Sequence, residues 1–242
     1  MTRLFFDASP SIGDTVTLTG EDLDHLRVLR TKPGELLELC NPSDQIVYQA
    51  KAEKISKEDA QIQIIGFGLG DSEPASKITL FQAIPKLDKM ELILQKCVEL
   101  GVFKIVPMFT ARTVTHPANA GIKAKRWQKI AKSAAQQSRR DIIPEVGAII
   151  TFQEALASMT NFDHSFVANE QEDNIKATEA FKAANKQNIA IFVGPEGGFD
   201  SKEIDELVAL GAKSVSLGKR TLRVETASIA TIVIFMSAKE EL

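Results

Sequence analysis

The stretch IFVGPEGGFDSKEI, Ile191 to Ile204, decides the fold. It begins as a short apolar run, the pattern of a buried strand. It ends with Phe199, Asp200 and Glu203, and Asp-x-x-Glu is a reciprocal capping pattern that opens a helix. Between them stands Gly-Pro-Glu-Gly-Gly. Glycines there remove side chains where the backbone turns sharply or approaches a ligand closely. The stretch is a strand–tight loop–helix unit with free backbone N–H groups at the loop, and such a loop can bind something.

The same alternation runs outward in both directions. Upstream, HSFVAN (164–169) and NIAIFVG (188–194) read as strands around the helix ATEAFKAANKQ (177–187). Downstream come the helix SKEIDELVALG (201–211), the strand KSVSLG (213–218) and a last helix, TASIATIVIFMSAKEEL (226–242). Earlier still, ITLFQAIPK, LDKMELILQKCVELG and FKIVPMFT make a strand–helix–strand unit. The helix KAKRWQKIAKSAAQQSRR comes next, and TFQEALASM opens with the capping box Thr151–Glu154. Alternating strand and helix predicts an α/β fold, a mainly parallel sheet with helices on both faces. The first seventy or so residues differ. TVTLTG, ELLELC, QIVYQAKAEKIS and AQIQIIGFG alternate apolar and polar residues around one short helix, EDLDHLRVLR, which suggests a compact β-barrel. GFGLGDSEPASK (66–77) reads as a linker. The expected domains are 1–72 and 73–242.

Bulk properties exclude several classes. The chain has 242 residues, 44% hydrophobic and 25% charged, an ordinary composition for a globular protein. Its net charge of -3 announces no nucleic-acid partner, so local charge must be examined. Cys40 and Cys97 are far apart and form no C-x-x-C, which suits a reducing cytoplasm. MTRLFFDASP has too short an apolar run for a signal peptide, and no stretch reaches the length of a membrane span. The histidines His25, His116 and His164 are scattered, so no metal is expected. Gly194 to Phe199 is not G-x-G-x-x-G, and Gly218-Lys219-Arg220 lacks the Walker pattern, which argues against a NAD enzyme or an ATPase. No G-x-S-x-G elbow supports a hydrolase.

Two glycine loops after apolar strands remain: VGPEGGF and LGKRTLRVETAS, Leu217 to Ser228. Ligands of open α/β sheets sit beyond the carboxyl ends of strands, where both loops fall. Taken alone, the glycines fit simple tight turns equally well. The second loop adds Arg220, Arg223, Glu225 and Thr226, a dense polar set for a connector.

GPEGGFDSKEI together with LGKRTLRVETAS resembles the SPOUT class of S-adenosylmethionine-dependent RNA methyltransferases. More closely, the chain is similar to the bacterial family that methylates uridine N3 in 16S ribosomal RNA. HLRVLR, KLDKMELILQKCVELGV and WQKIAKSAAQQSRRDIIPE extend the likeness over nearly the whole sequence. The resemblance implies a PUA-like RNA-binding β-barrel followed by an α/β domain with a deep C-terminal trefoil knot. It implies S-adenosyl-L-methionine as cofactor, held by Gly194, Pro195, Glu196, Gly197 and Gly198 of the first loop. Facing them would stand Leu217, Gly218, Leu222, Arg223, Thr226 and Ala227, with the loop around Ala168, Asn169 and Glu170 as a third wall. It also implies a cytoplasmic homodimer, to which the nearly all-apolar last helix is suited.

The RNA side rests on charge and likeness together. The helix around Trp127 carries Lys123, Lys125, Arg126, Lys129, Lys132, Arg139 and Arg140 with no acid among them. Phosphate neutralisation explains such a run, as does a solvated helix face. Trp127 itself fits core spacing. Arg27 and Arg30 lie three apart with Lys32 beyond; with Arg3, Lys86, Arg126, Arg139 and Arg140 they form the expected contact set for 16S rRNA in the assembled 30S subunit. Uracil N3 carries a proton, so catalysis needs its removal or stabilisation of the anion. Glu196, Glu225, Arg140 and Arg223 are the candidates, although Glu225 could merely cap the last helix. Two other functions fit the same residues: an RNA-binding or assembly factor without activity, and a methyltransferase of another RNA.

Overall fold

The computed structural model describes residues 2–115, 119–185 and 187–242. His116 lies outside them. The chain divides into two compact units, one comprising the residues up to Glu73 with Ala135–Ile143, the other Pro74–Ala134 with Pro144–Leu242.

The first unit is a five-stranded sheet with one helix. Its strands are β1 (Thr2–Phe5), β2 (Thr15–Leu18), β3 (Leu36–Asn41), β4 (Ile46–Ile55) and β5 (Ala60–Leu69), and its helix is α1 (Gly20–Val28). The order is β1-β3-β4-β5-β2; β1 runs parallel to β3 and the other pairs are antiparallel. Alternation fixes the register, because a one-residue slip would turn every apolar side chain to the wrong face. Tyr48, Ala50 and Ala52 of β4 point inward and Gln49 and Lys51 outward. The inward set joins Leu4, Leu37, Leu39, Ile62 and Ile64, with Leu23 and Leu26 of α1 laid over it.

The segment GFGLGDSEPASK is not a free linker. GFGL completes β5, and Ser72 and Glu73 just beyond it are tied down. Asp141, 1% exposed, accepts hydrogen bonds from Ser72 N–H and Ser72 Oγ at 2.8 Å each. Arg140 pairs with Glu73 through Nη2 at 2.5 Å and Nε at 3.2 Å. Residues 135–143, expected in the second domain, therefore belong to the first unit.

The second unit has β6 (Lys77–Ala83), α2 (Lys89–Glu99), β7 (Lys104–Phe109) and α3 (Ala120–Gln137), whose last turn belongs to the first unit. Then come the two-residue strands β8 (Glu145–Val146) and β9 (Ile150–Thr151), α4 (Phe152–Ala157), β10 (His164–Ala168) and α5 (Ala177–Lys182). It closes with β11 (Asn188–Val193), α6 (Ser201–Ala209), β12 (Lys213–Val215) and α7 (Val224–Ala238). Every strand pair is parallel, in the order β12-β10-β11-β6-β7-β8, with β9 also on β7. Such strands are covered on both faces and read as nearly unbroken apolar runs, as ITLFQA and NIAIFV do. One face packs Phe81, Val106, Met108, Val167 and Phe192 against Phe152, Leu156 and Leu207; the Phe81 and Phe192 rings stack at 4.6 Å. On the other, Phe166 meets Phe181 of α5, which meets Phe235 of α7. The expected α/β architecture with a small N-terminal β unit is what the chain adopts.

Candidate ligand cavity

The carboxyl ends of β10, β11 and β12, adjacent in the sheet, carry three loops that enclose a cavity of about 270 Å³. From β11 come Val193, Gly194, Pro195, Glu196 and Gly198; from β10, Ala168, Asn169 and Glu170. The loop after β12 gives Leu217, Gly218, Arg220, Thr221, Leu222 and Arg223, and α7 adds Val224 and Ala227. Lys89, the first residue of α2, completes the wall.

The β11 loop is a turn closed by Gly198 N–H donating to Pro195 C=O at 2.9 Å. Gly198 has φ 67°, and a Cβ there would strike the Glu170 carboxylate. A Cβ on Gly194 would lie 3.0 Å from the backbone of Gly198 and Phe199, so the loop closes this tightly only with glycine. Both expected capping boxes form, at Thr151–Glu154 and Asp200–Glu203. Glu203 does more than cap. While Oε2 accepts from Asp200 N–H, Oε1 accepts from Ala111 N–H at 2.8 Å. Arg112 donates to Gly197 C=O at 2.8 Å and to Asp200 Oδ2 at 3.2 Å. The segment after β7 thus holds the glycine loop from outside.

Glu196 accepts from Lys86 N–H at 3.0 Å and Lys89 Nζ at 3.1 Å. Partial burial pushes its carboxyl up, but hydrogen bonds from its own N–H, from Lys89 and from Lys86 outweigh this and hold it below the ordinary carboxylate range. Lys89 Nζ also lies 3.4 Å from Glu225 Oε2, a buried oxygen with no hydrogen bond among the described residues. The hydrogen bond to Glu196 is the main reason the Lys89 ammonium is held above its ordinary value. Asn169 ties the β10 end to β12, its N–H donating to Val215 C=O at 3.1 Å and its Nδ2 to Ser214 Oγ at 3.2 Å. Gly218, at φ 118°, turns the chain out of β12.

Of the expected cofactor residues, Gly197 and Thr226 do not line the cavity: Gly197 faces Arg112, and Thr226 is exposed on α7. Lys89, Val193, Thr221 and Val224 line it without having been read from the sequence. Lys89 had a signal, as the opening residue of a helix just beyond a strand's carboxyl end. Of the expected catalytic set, Glu196 and Arg223 reach the wall and Glu225 stands behind Lys89. Arg140 belongs to the first unit. There it is 3% exposed and its guanidinium is engaged with Glu73.

The expected RNA contacts scatter likewise. Arg3 is buried, bonded to Glu38 Oε2 at 3.0 Å, Asp141 Oδ1 at 2.6 Å and Arg139 C=O at 2.6 Å, which is a clamp and not a docking cation. Arg27 pairs with Asp24 and donates to Ser56 and Lys57 carbonyls. Arg126 grips Glu91 with both Nε and Nη2. Arg30, Lys32, Lys86 and Arg139 are exposed. Trp127 is core, at 3% exposure.

The walls offer backbone groups and apolar carbon together with the carboxylates Glu170 and Glu196 and the cations Lys89, Arg220 and Arg223. That set fits a flat heteroaromatic ligand read by main-chain groups and carrying a cationic arm. Among the described residues no group of His, Cys, Asp and Glu is placed to hold a metal ion, and both thiols are buried. Burial pushes Cys97 up to about 12, and burial followed by the Asp141 charge does the same to Cys40. No described helix is long and apolar enough to cross a membrane.

A family model for an RNA methyltransferase domain matches residues 72–236, and one for an RNA methyltransferase PUA domain matches 18–65. Ribosomal RNA small subunit methyltransferase E of Bacillus subtilis is 33% identical over 223 residues, 89% of this chain and 87% of that protein. Its namesake from Mesomycoplasma hyopneumoniae is 35% identical over 217 residues, 88% and 89% of the two chains. Among solved structures, the Neisseria gonorrhoeae enzyme of that name, bound to S-adenosyl methionine, superposes with a TM-score of 0.88 at 33% identity, covering 98% of this chain and 97% of the other. A putative methyltransferase from Legionella pneumophila in complex with the same cofactor gives 0.88 at 28% identity, with the same coverage.

Proposed function

We propose a function from one premise: this chain belongs to the RNA methyltransferase family that includes the ribosomal RNA small subunit methyltransferases E. It transfers a methyl group from S-adenosyl-L-methionine to N3 of a uridine in 16S rRNA, in the cytoplasm and on the assembled 30S subunit. The three-loop cavity carries this reading, because its walls match the cofactor's chemistry. Main-chain groups of the Gly194–Gly198 and Leu217–Leu222 loops would hold the adenine edge, and Glu170 and Glu196 would offset the charge of the cationic methionine arm.

When bound, the cofactor supplies an electrophilic methyl carbon on a sulfonium. The chain must do the rest. N3 of uracil would give up its proton to water, the negative charge spreading onto O2 and O4, and would then take the methyl carbon as that carbon's bond to sulfur breaks and leaves its electron pair on a neutral thioether. Arg223 has an exposed guanidinium at the cavity wall with no side-chain partner among the described residues, and it meets that charge. Glu196, an anion already satisfied by Lys86 and Lys89, is a weak base and serves to anchor the loop. Holding both reactants in line supplies much of the rate.

A homodimer suits α7. Val224, Ser228, Ile232 and Phe235 fill the core, while Ile229, Ala230, Val233 and Ile234 remain half-buried along the helix. Light scattering should give twice the chain mass; a monomer at working concentration removes the dimer.

A methyl on N3 blocks the Watson–Crick edge. Purified protein and S-adenosylmethionine, added to 30S subunits lacking the modification, should create one strong reverse-transcriptase stop in 16S rRNA. Labelled methyl incorporated without a stop would place it elsewhere than the base-pairing edge.

A further inference from the structure

The arginines of this chain fall into two groups. Arg3, Arg27, Arg112, Arg126 and Arg140 each hold a carboxylate. Arg30, Arg139, Arg220 and Arg223 hold none: among the described residues none of these side chains has a hydrogen-bond or ion-pair partner, and the same is true of Lys219; of the four, only Arg220 and Arg223 stand together at the cavity wall. Acids are not scarce, at 32 Asp and Glu against 29 Lys and Arg. Yet Leu217 to Arg223 contains no acid and three cations within five positions. Gly218, at φ 118° with open space where a Cβ would stand, turns the chain so that 219–221 are exposed. Like charges this close repel, and an anion at the loop would relieve them.

The basic face of α3 is a poorer candidate for such an anion. Arg126 is bidentate on Glu91, and Lys129 and Lys132 have partners of their own. We propose that Lys219 and Arg220 form a phosphodiester subsite on the cavity rim, which grips the RNA backbone beside the target nucleotide. Arg220 lines the cavity and Lys219 adjoins it, so the subsite orients the strand whose base enters. Phosphate contacts of this kind set register without reading sequence. The proposal rests on the methyltransferase reading, and it names the group that places the substrate.

The test uses the full chain and a fluorescein-labelled oligouridylate, with binding followed by polarisation at several salt concentrations. Each lost phosphate contact on a single strand should lower the slope of log K against log salt by roughly 0.7. Lys219→Ala with Arg220→Ala should therefore flatten the slope by about 1.4 and weaken binding by roughly tenfold at low salt, while Arg220→Lys keeps most of the slope. S-adenosylmethionine affinity is read in parallel by calorimetry, because Arg220 also forms part of the cavity wall. An unchanged slope overturns the subsite, as does wild-type RNA affinity that is indifferent to salt. Lost cofactor affinity with an intact slope would assign Arg220 to the cofactor's carboxylate and also overturn it. A wild-type chain that binds no S-adenosylmethionine would sink the methyltransferase reading instead, a result separate from the slope.

Discussion

Arg140 and Glu73 stand 67 positions apart and meet as a largely buried ion pair. Removing one partner leaves the other charge uncompensated, so Arg140→Ala should cost roughly 3 kcal/mol of stability, read by urea denaturation. Wild-type stability with reduced methyl transfer would return Arg140 to the reaction. Glu196 makes the opposite case. Its hydrogen bonds hold its carboxyl below the ordinary carboxylate range, so its stabilising contacts are complete above the unfolded-chain value and are lost as pH falls through the lowered one. Nothing in its titration reaches neutrality. Glu196→Gln keeps an acceptor for Lys86 N–H, and single-turnover rates should fall less than tenfold, short of the roughly 10²–10⁴ of a general base. A hundredfold fall at unchanged cofactor affinity would make it the base. The candidate residues were legible in the sequence, but their availability was not. Whether an arginine is free depends on carboxylates such as Glu73 and Asp141, which the chain brings in from far away.

The loop between β11 and α6 is held by elements distant in sequence. Both capping boxes could be read because their two residues lie three apart. Glu203's second bond, to Ala111 92 positions away, could not be read, nor could the two bonds from Arg112. Strands β8 and β9 are too short to be legible, because two residues carry no period. If Arg112 sets the loop's shape, Arg112→Ala should raise the dissociation constant for S-adenosylmethionine by roughly three- to tenfold, since its contacts are half-exposed. Calorimetry would show it, with melting temperature nearly unchanged. Arg112→Lys, able to keep one contact, should fall between. Unchanged affinity in Arg112→Ala would mean that the capping box alone shapes the loop.

Across the whole molecule, strand and helix alternation announced the parallel sheet, and the change in period near residue 70 announced the first unit. The assignment of 135–143 to that unit was hidden, because Arg139 and Arg140 read as the end of a basic helix until Glu73, Ser72 and Arg3 are placed around Arg140 and Asp141. The deep knot implied by the resemblance belongs to the path of the chain, which no local period records. The cavity is the property of the molecule that matters most, and its product can be read directly. Small-subunit rRNA from a strain lacking this chain, incubated as 30S particles with purified protein and S-adenosylmethionine, should gain 3-methyluridine on nucleoside digestion and mass spectrometry. It should approach one residue per 16S rRNA. A deletion strain whose 3-methyluridine already equals wild type, or particles that gain none, would contradict the account.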